Sequence, residues 1–219
     1  MNRGQITLKD EVLDVNHPAY YVTVDEGAFF DLCKAQKDNL RYVLTNGLCG
    51  CVAIAIYIKD GTKSYLFLNH IPADLPISEM DSEIEKIKNS IGEYLPGFDY
   101  ADDILESSVF VVANQFCKLG TTQPRRTGGD IAREIFSKLS TRMEGIDRPC
   151  HYVCAKTVGF SIKNNQVKLF EPNWTKTFGR LTYYGERHGG YGSPSDPNME
   201  PYKDTCEVYD FEYRQDHLI

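Results

Sequence analysis

Residues 42–70 read YVLTNGLCGCVAIAIYIKDGTKSYLFLNH, and this stretch decides the fold. Two runs rich in β-branched and aromatic residues, at 52–58 and 64–68, flank Asp60-Gly61, which is a strong signal for a β-hairpin. A third apolar run at 42–45 is followed by an Asn-Gly pair, which is typical of a turn. The stretch therefore predicts a strand, a sharp loop, a second strand, a hairpin turn and a third strand.

The rest of the chain alternates between predicted helices and predicted strands. Apolar periodicity predicts a helix over 79–95 with Ser78 as its N-cap, and a second helix that Asp130 opens. A further short helix is predicted over 26–36. Other strands are predicted over 20–24, 109–113, 152–156, 159–163, 167–170 and 207–213. Because several strand pairs are hairpins, the sequence favours an α+β fold, with mixed β-sheets packed as a layered sandwich and flanking helices.

The composition fits a globular protein and argues against several functional classes. The chain has 219 residues, of which 42% are hydrophobic, and this is enough for a substantial core. Its net charge of −7, without a block of like charges, argues against nucleic acid as a partner. The longest apolar runs have the length of strands, so neither a membrane span nor a membrane partner is expected.

The seven cysteines form no regular framework, and the N-terminus lacks the apolar segment of a signal peptide. We therefore expect free thiols and a reducing location, either the cytoplasm or a host cell reached by a dedicated secretion system without a cleavable signal peptide. Cys150, His151 and Cys154 lie close in sequence but lack a second ligand pair. Buried thiols are expected there, and neither a metal nor a cofactor is expected in the chain.

Cys51 stands at the end of a glycine-containing loop and opens an apolar strand, a position that holds a thiol rigidly. Gly47 and Gly50 let the backbone approach a substrate carbonyl, and a tight turn can aim backbone N–H groups at one point as an oxyanion site. His70 lies at the far end of the next strand. If the hairpin is centred on Asp60-Gly61, His70 lies directly opposite Cys51, with Cβ atoms about 4.5–5.5 Å apart. An imidazole at that range can take the thiol proton.

This constellation resembles the bacterial chemotaxis deamidase CheD, whose core carries a threonine, a Gly-rich loop ending in a cysteine, and later an Asn-His pair. The loop Leu48-Cys49-Gly50-Cys51 is also similar to the catalytic Leu-x-Gly-Cys loop of cytotoxic necrotizing factor and related deamidating toxins. The resemblance implies that Cys51 is the nucleophile, that His70 is the base and that Thr45 completes a triad. It covers residues 42–171, although a glycine precedes the cysteine where CheD usually has serine.

The sequence also allows other roles for the residues of this loop and its neighbours. Cys49 is a rival nucleophile, although its place in the loop puts it further from His70. Gly50 and Cys49 are expected to line the oxyanion or substrate site together with Asn69, whose side chain can equally serve an ordinary turn. Thr45 either orients the histidine or is only a β-forming residue, in which case a backbone carbonyl orients the histidine instead.

The resemblance implies a protein-glutamine deamidase without a cofactor. The thiolate attacks a glutamine exposed on a partner protein, ammonia leaves, and water hydrolyses the thioester to glutamate. The alternatives are a transglutaminase, in which an amine replaces water, a cysteine protease, and a CheD-like binding protein without activity. Residues 41–172 are expected to form the CheD-like catalytic core, with an N-terminal extension over 1–40 and a C-terminal extension over 173–219 packed on it. These additions favour an effector or toxin delivered into another cell over a chemotaxis protein.

Overall fold

The computed structural model describes residues 5–48, 50–72, 75–96, 108–113, 150–177, 179–185, 191–192 and 202–207. The predicted helix opened by Asp130 lies outside these residues, as does most of the strand predicted over 207–213. The α-helices in the described part of the chain are α1 (Leu32–Lys37) and α2 (Met80–Tyr94), and short 3₁₀ turns occur at Ile77–Glu79 and Trp174–Lys176. Neither α1 nor α2 is long and apolar enough to cross a membrane.

The described residues contain fourteen strands, numbered in chain order, which form two seven-stranded sheets. The first sheet has the spatial order β1 (Gln5–Ile6), β9 (Cys150–Cys154), β8 (Ser108–Ala113), β6 (Val52–Asp60), β7 (Lys63–Ile71), β4 (Glu26–Asp31) and β13 (Tyr191–Gly192). The second sheet has the order β14 (Tyr202–Glu207), β12 (Arg180–Gly185), β3 (Ala19–Tyr21), β5 (Tyr42–Thr45), β10 (Val158–Lys163), β11 (Gln166–Pro172) and β2 (Asp10–Glu11). Both sheets are mixed, since β6 and β7 are antiparallel while β8 and β9 are parallel, and β10 and β11 are antiparallel while β3 and β5 are parallel.

The two sheets enclose an apolar cluster that we call the inter-sheet core. It contains Ala53 and Leu66 from the first sheet and Val43 and Phe160 from the second. The opposite face of the first sheet is covered by α2, through the buried isoleucine stripe that its sequence predicts. The predicted α+β fold with mixed sheets in a layered sandwich and a flanking helix is therefore confirmed.

The central hairpin consists of the predicted strands, but its predicted register is wrong by two residues. The turn residues are Gly61-Thr62 rather than Asp60-Gly61, so Ala53, and not Cys51, lies opposite His70. The turn glycine has a φ of +55°, and a positive φ at the first of two turn residues is typical of a type II′ hairpin turn. Because side chains alternate between the faces of a sheet, a shift of two residues leaves every side chain on its predicted face.

The helix predicted over 26–36 is wrong in its first half. The first six of these residues form β4, which pairs antiparallel with β7 along its whole length, and the helix α1 begins only after Asp31, whose side chain caps it. Phe29 and Phe30 are both buried, on opposite faces of the first sheet. A strand buries consecutive residues in this way when both of its faces are covered, and pairing with a distant strand therefore decides the structure here.

Most of the other predicted elements agree with the structure. The strands predicted over 109–113, 159–163 and 167–170 correspond to β8, β10 and β11. Asn164 and Asn165 connect the last two with φ values of +54° and +57°, as a type I′ turn requires. The predicted N-cap Ser78 is wrong, because it lies in a 3₁₀ turn, and α2 begins after Glu79 without a side-chain cap.

Segments before residue 41 and after residue 172 contribute strands to the two sheets. In the first sheet β4 lies beside β7, and in the second sheet β3 lies between β5 and β12. The division into a core over 41–172 and two extensions stays a prediction. The parts of both predicted extensions that the structure describes are nevertheless hydrogen-bonded into the sheets.

Candidate active site

The loop formed by residues 46–51 carries the chain from the second sheet to the first, because it joins β5 to β6. Thr45 is the last residue of β5, Cys51 immediately precedes β6, and His70 lies near the end of β7. All three are buried, with exposed fractions of 0%, 6% and 0%. We call the part of the inter-sheet core that these three residues occupy the loop end.

Two hydrogen bonds orient His70. Thr45 Oγ1 lies 2.7 Å from His70 Nδ1 and donates to the carbonyl oxygen of Val22 at 2.8 Å. A hydroxyl has one proton, and because this proton goes to the carbonyl, Oγ1 must accept the Nδ1–H of His70. The imidazole is therefore held as the Nδ1–H tautomer, and its Nε2 carries the lone pair.

His70 Nε2 is the atom that this arrangement leaves without a partner. It is buried and makes no hydrogen bond in the described part of the protein. A buried polar atom without a partner costs about 1–3 kcal/mol, and native proteins keep few of them. An unpartnered lone pair on an oriented imidazole is what a general base requires.

Burial lowers the pKa of His70 to about 4, because the imidazolium would lose its hydration, and the carbonyl of Val22 opposes this effect only in part. The side chain is therefore neutral at neutral pH. A neutral imidazole can accept a proton from a thiol, whereas an imidazolium cannot. The electrostatics and the hydrogen bonds thus favour the same form of the ring.

Cys51 lies on the same face of the first sheet as His70. It belongs to the inter-sheet core together with Ala53 and Leu68, the residues that flank His70 on this face. Since Ala53 is directly opposite His70, Cys51 is the diagonal neighbour of His70. Diagonal positions on neighbouring strands are about 7–8 Å apart, a gap that ring side chains span.

Asn46 and Thr157 hold the loop in shape. Thr157 Oγ1 donates to Asn46 Oδ1 at 2.7 Å, and the same oxygen accepts from the N–H of Gly47. This glycine has a φ of +75°, which favours glycine over other residues. The N–H of Leu48 donates to the carbonyl of Lys156 at 3.0 Å. The loop is thereby tied to the connection between β9 and β10, a role that no sequence motif at Thr157 indicates.

The three residues predicted to line the site, Gly50, Cys49 and Asn69, differ in where the structure places them. Gly50 is buried within the loop, and Cys49 lies outside the described residues. Asn69 lies on the opposite face of β7 from His70, because successive residues of a strand point to opposite faces. Its side-chain nitrogen donates to the carbonyl of Glu26 at 3.4 Å. The structure therefore does not bring Asn69 to the face of the sheet that carries the thiol and the imidazole.

Glu26 is a buried group at the loop end that the sequence analysis missed. It is fully buried, and its partner in the β4–β7 pairing is His70. Its carboxylate accepts hydrogen bonds from the hydroxyl of Tyr20 at 3.0 Å, from the hydroxyl of Thr23 at 2.9 Å, and from the N–H of Thr23. The helix predicted over 26–36 concealed this pairing, and the local signal is only an acidic residue that precedes an apolar run.

Among the described residues, no group of three or more His, Cys, Asp or Glu side chains is arranged to hold a metal ion. In the segment where a metal was considered, His151 stacks on Phe110 with ring centroids 5.3 Å apart. Cys154 in the same strand is a half-buried free thiol.

No protein-family model matches the chain, and a search of curated proteins finds no significant match. The two features that bear most on the function are Nε2 of His70, which makes no hydrogen bond in the described part of the chain, and the thiol of Cys51 on the same face.

Proposed function

We propose that this protein is a cysteine hydrolase that deamidates a glutamine side chain on a partner protein, like the CheD-like deamidases that its loop resembles. In this proposal Cys51 is the nucleophile, His70 is the general base, and Thr45 orients the base. The observation that carries the proposal is the hydrogen-bonded series from the Val22 carbonyl through the Thr45 hydroxyl to His70 Nδ1. Nε2 lies on the face that the thiol shares and makes no hydrogen bond with any residue that the structure describes.

The first half-reaction forms a thioester. His70 Nε2 accepts the proton of the Cys51 thiol, and the thiolate attacks the carbon of the glutamine carboxamide to give a tetrahedral oxyanion. Backbone N–H groups of the loop are the candidates to stabilise this oxyanion. The Nε2–H then protonates the departing nitrogen as the C–N bond breaks, so ammonia leaves and the glutamyl group remains on the sulfur.

The second half-reaction consumes water. The neutral Nε2 accepts a proton from water as the water oxygen attacks the thioester carbon. The C–S bond breaks, the sulfur recovers the proton from Nε2–H, and the products are glutamate and the regenerated thiol of Cys51. A lysine amine in place of water would give a transglutaminase, and nothing in the Thr45–His70 pair distinguishes between these two acceptors.

The burial of the thiol favours a side-chain amide over a peptide bond as the substrate. Cys51 is 6% exposed. A protease must run an extended backbone past its nucleophile, which requires an open groove, whereas a carboxamide at the end of a long side chain needs only a narrow opening. The burial of Cys51 therefore supports a deamidase or transglutaminase in preference to a protease.

A binding protein without activity is the alternative from another class. For such a protein, an apolar side chain at position 70 would avoid the cost of a buried nitrogen without a partner, about 1–3 kcal/mol. The protein instead keeps a buried imidazole, whose pKa is lowered to about 4, on the same face as a thiol. Perturbed titratable groups of this kind cluster at functional sites, which favours an enzyme.

The test compares conversion of glutamine to glutamate in a cell lysate treated with the wild type, Cys51→Ala or Cys33→Ala, with detection by mass spectrometry. Cys33→Ala is the matched control, because Cys33 is a free thiol in α1, away from the loop. Conversions are expected with the wild type and Cys33→Ala and not with Cys51→Ala. New N-termini in the lysate proteins would instead identify a protease, and isopeptide bonds from glutamine to lysine would identify a transglutaminase. If no change depends on Cys51, the protein lacks the proposed activity.

A further inference from the structure

The turn that connects β3 to β4 contacts both sheets at the loop end. The N–H of Val22 donates to the carbonyl of Leu44 in the second sheet at 2.9 Å, and the N–H of Asp25 donates to the carbonyl of His70 in the first sheet at 2.8 Å. The carbonyl of Val22 is also the acceptor for the Thr45 hydroxyl. The shape of this turn therefore determines how Thr45 and His70 meet.

Glu26 supports the turn from within the protein. Its Oε1 accepts from the hydroxyl of Tyr20, and its Oε2 accepts from both the N–H and the hydroxyl of Thr23. Three donors thus converge on a carboxylate that is fully buried. Asp25 in the same turn has a φ of +62°, a left-handed conformation that aspartate and asparagine adopt more often than other residues with a side chain.

We propose that Glu26 is a positioning residue that selects the Nδ1–H tautomer of His70. While the turn is held, the carbonyl of Val22 takes the single proton of the Thr45 hydroxyl, and the hydroxyl can only accept from Nδ1–H. When the turn is released, the hydroxyl is free to donate to Nδ1, and the ring proton moves through solvent to Nε2. The Nε2–H tautomer cannot accept a proton from Cys51.

The consequence for catalysis rests on the proposed function, whereas the choice of tautomer does not. The role of Glu26 and the pairing of Cys51 with His70 can therefore be tested independently. The position of the ring proton tests the role of Glu26, and the reactivity of the Cys51 thiol tests its pairing with His70.

The role requires hydrogen-bonding groups and not a negative charge. A glutamine at position 26 meets the requirement, because its amide oxygen can accept from Thr23 and its amide nitrogen can donate to the oxygen of Tyr20. A leucine has a similar size and can do neither. Glu26→Gln is therefore the conservative rescue variant, and Glu26→Leu is the variant in which the support is lost.

The experiment is a nitrogen–proton correlation NMR spectrum of the full chain with isotopically labelled histidine, at neutral pH. Such spectra report which ring nitrogen carries the proton, and the signals of His70 are assigned by their loss in His70→Gln. The wild type and Glu26→Gln are expected to show only the Nδ1–H tautomer, whereas Glu26→Leu should show a population with the proton on Nε2. The matched control is Tyr42→Phe, which removes a buried hydroxyl that binds the N–H of Asp14 at 2.9 Å on the far face of the second sheet. It should leave the tautomer unchanged.

A Glu26→Leu spectrum like that of the wild type overturns the inference, and a Glu26→Gln spectrum like that of Glu26→Leu overturns the hydrogen-bonding role. If Glu26→Leu does not fold, Thr23→Ala takes its place, because it removes one donor to Oε2. A detectable population of the Nε2–H tautomer in Thr23→Ala supports the inference, and a spectrum with the Nδ1–H tautomer alone overturns it. Alkylation of Cys51 by iodoacetamide should slow in Glu26→Leu in proportion to the fraction of His70 that has lost the Nδ1–H tautomer. A changed tautomer with unchanged alkylation keeps the role of Glu26 and counts against the pairing of Cys51 with His70.

Discussion

The two ends of the inter-sheet core differ in character. Near the β6–β7 turn, at what we call the hairpin end, the sheets bury apolar side chains such as Phe30 and Leu66. At the loop end the same two sheets enclose Thr45, His70 and Glu26, all fully buried. Apolar burial stabilises a fold, whereas burial of polar groups costs free energy unless each group finds a partner. Apolar burial at the hairpin end therefore stabilises the packing of the two sheets, whereas the buried polar groups of the loop end are the ones to which we assign the proposed chemistry.

The largest expected effect is that of Cys51→Ala at the loop end. Glutamine conversion should fall by at least about a thousandfold, because no thioester can form without the thiol. The free energy of unfolding, measured with urea, should change by only about 1 kcal/mol, since the substitution removes a single heavy atom, the sulfur. Cys49→Ala should retain most of the activity. The opposite result for the two variants would identify Cys49 as the nucleophile.

At the hairpin end we expect a substitution to lower stability and to leave activity unchanged. Leu66 is fully buried between the sheets, so Leu66→Ala should lower the free energy of unfolding by about 2–5 kcal/mol through lost burial and a residual cavity. The rate of conversion per folded molecule should stay as in the wild type. Urea unfolding and activity corrected for the folded fraction measure the two quantities. A large loss of corrected activity would show that the two ends are not separate in function.

The pH dependence of stability should also trace to the loop end. His70 has a folded pKa of about 4, below the ordinary value of 6.5, so between these values the unfolded chain binds a proton that the folded protein does not. The contribution of His70 to the free energy of unfolding is therefore complete above pH 6.5. About 3 kcal/mol of this contribution is lost as the pH falls from 6.5 towards 4. His70→Gln has no titrating group at this position. Its urea unfolding should depend less steeply on pH in this window, and an equal dependence would contradict the neutral, buried imidazole.

A smaller effect is expected for Thr45→Val, which keeps the shape of the side chain and removes the acceptor of the Nδ1–H. Conversion should slow by about 10–100-fold, because the base is no longer held in one tautomer. Thr177→Val is the matched control. Thr177 is also a buried threonine, and its hydroxyl accepts from the N–H of Leu13 and donates to the carbonyl of Asn173. Equal activities of Thr45→Val and Thr177→Val would show that Thr45 has no role in orienting the base.

The local elements near both ends of the core could be predicted from the sequence, and the pairing between them only in part. Alternation and turn residues predict β5, β6 and β7, and with them the three candidates Thr45, Cys51 and His70. The Asp-Gly signal locates the hairpin turn but does not distinguish a turn that begins at the aspartate from one that begins at the glycine. The register error of two residues follows, and it turns Cys51 and His70 from opposite into diagonal neighbours without changing their face.

Glu26 shows what local patterns cannot reveal. Residues 26–31 have a composition that suits a helix or a strand, and pairing with β7 makes them β4. The same pairing places Glu26 beside His70 and within reach of Tyr20 and Thr23. Such contacts depend on segments that are distant in sequence, so periodicity alone gives no signal for them.

Site-resolved alkylation tests most directly whether His70 activates the thiol of Cys51. Wild type and His70→Gln are treated with iodoacetamide at neutral pH, and the labelling of each cysteine is followed over time by mass spectrometry. Cys33 is an internal control within the same molecule, because it is a free thiol in α1. In His70→Gln, labelling of Cys51 should slow at least about tenfold while labelling of Cys33 stays unchanged. Equal labelling of Cys51 in the two proteins would contradict the pairing on which the proposed function depends.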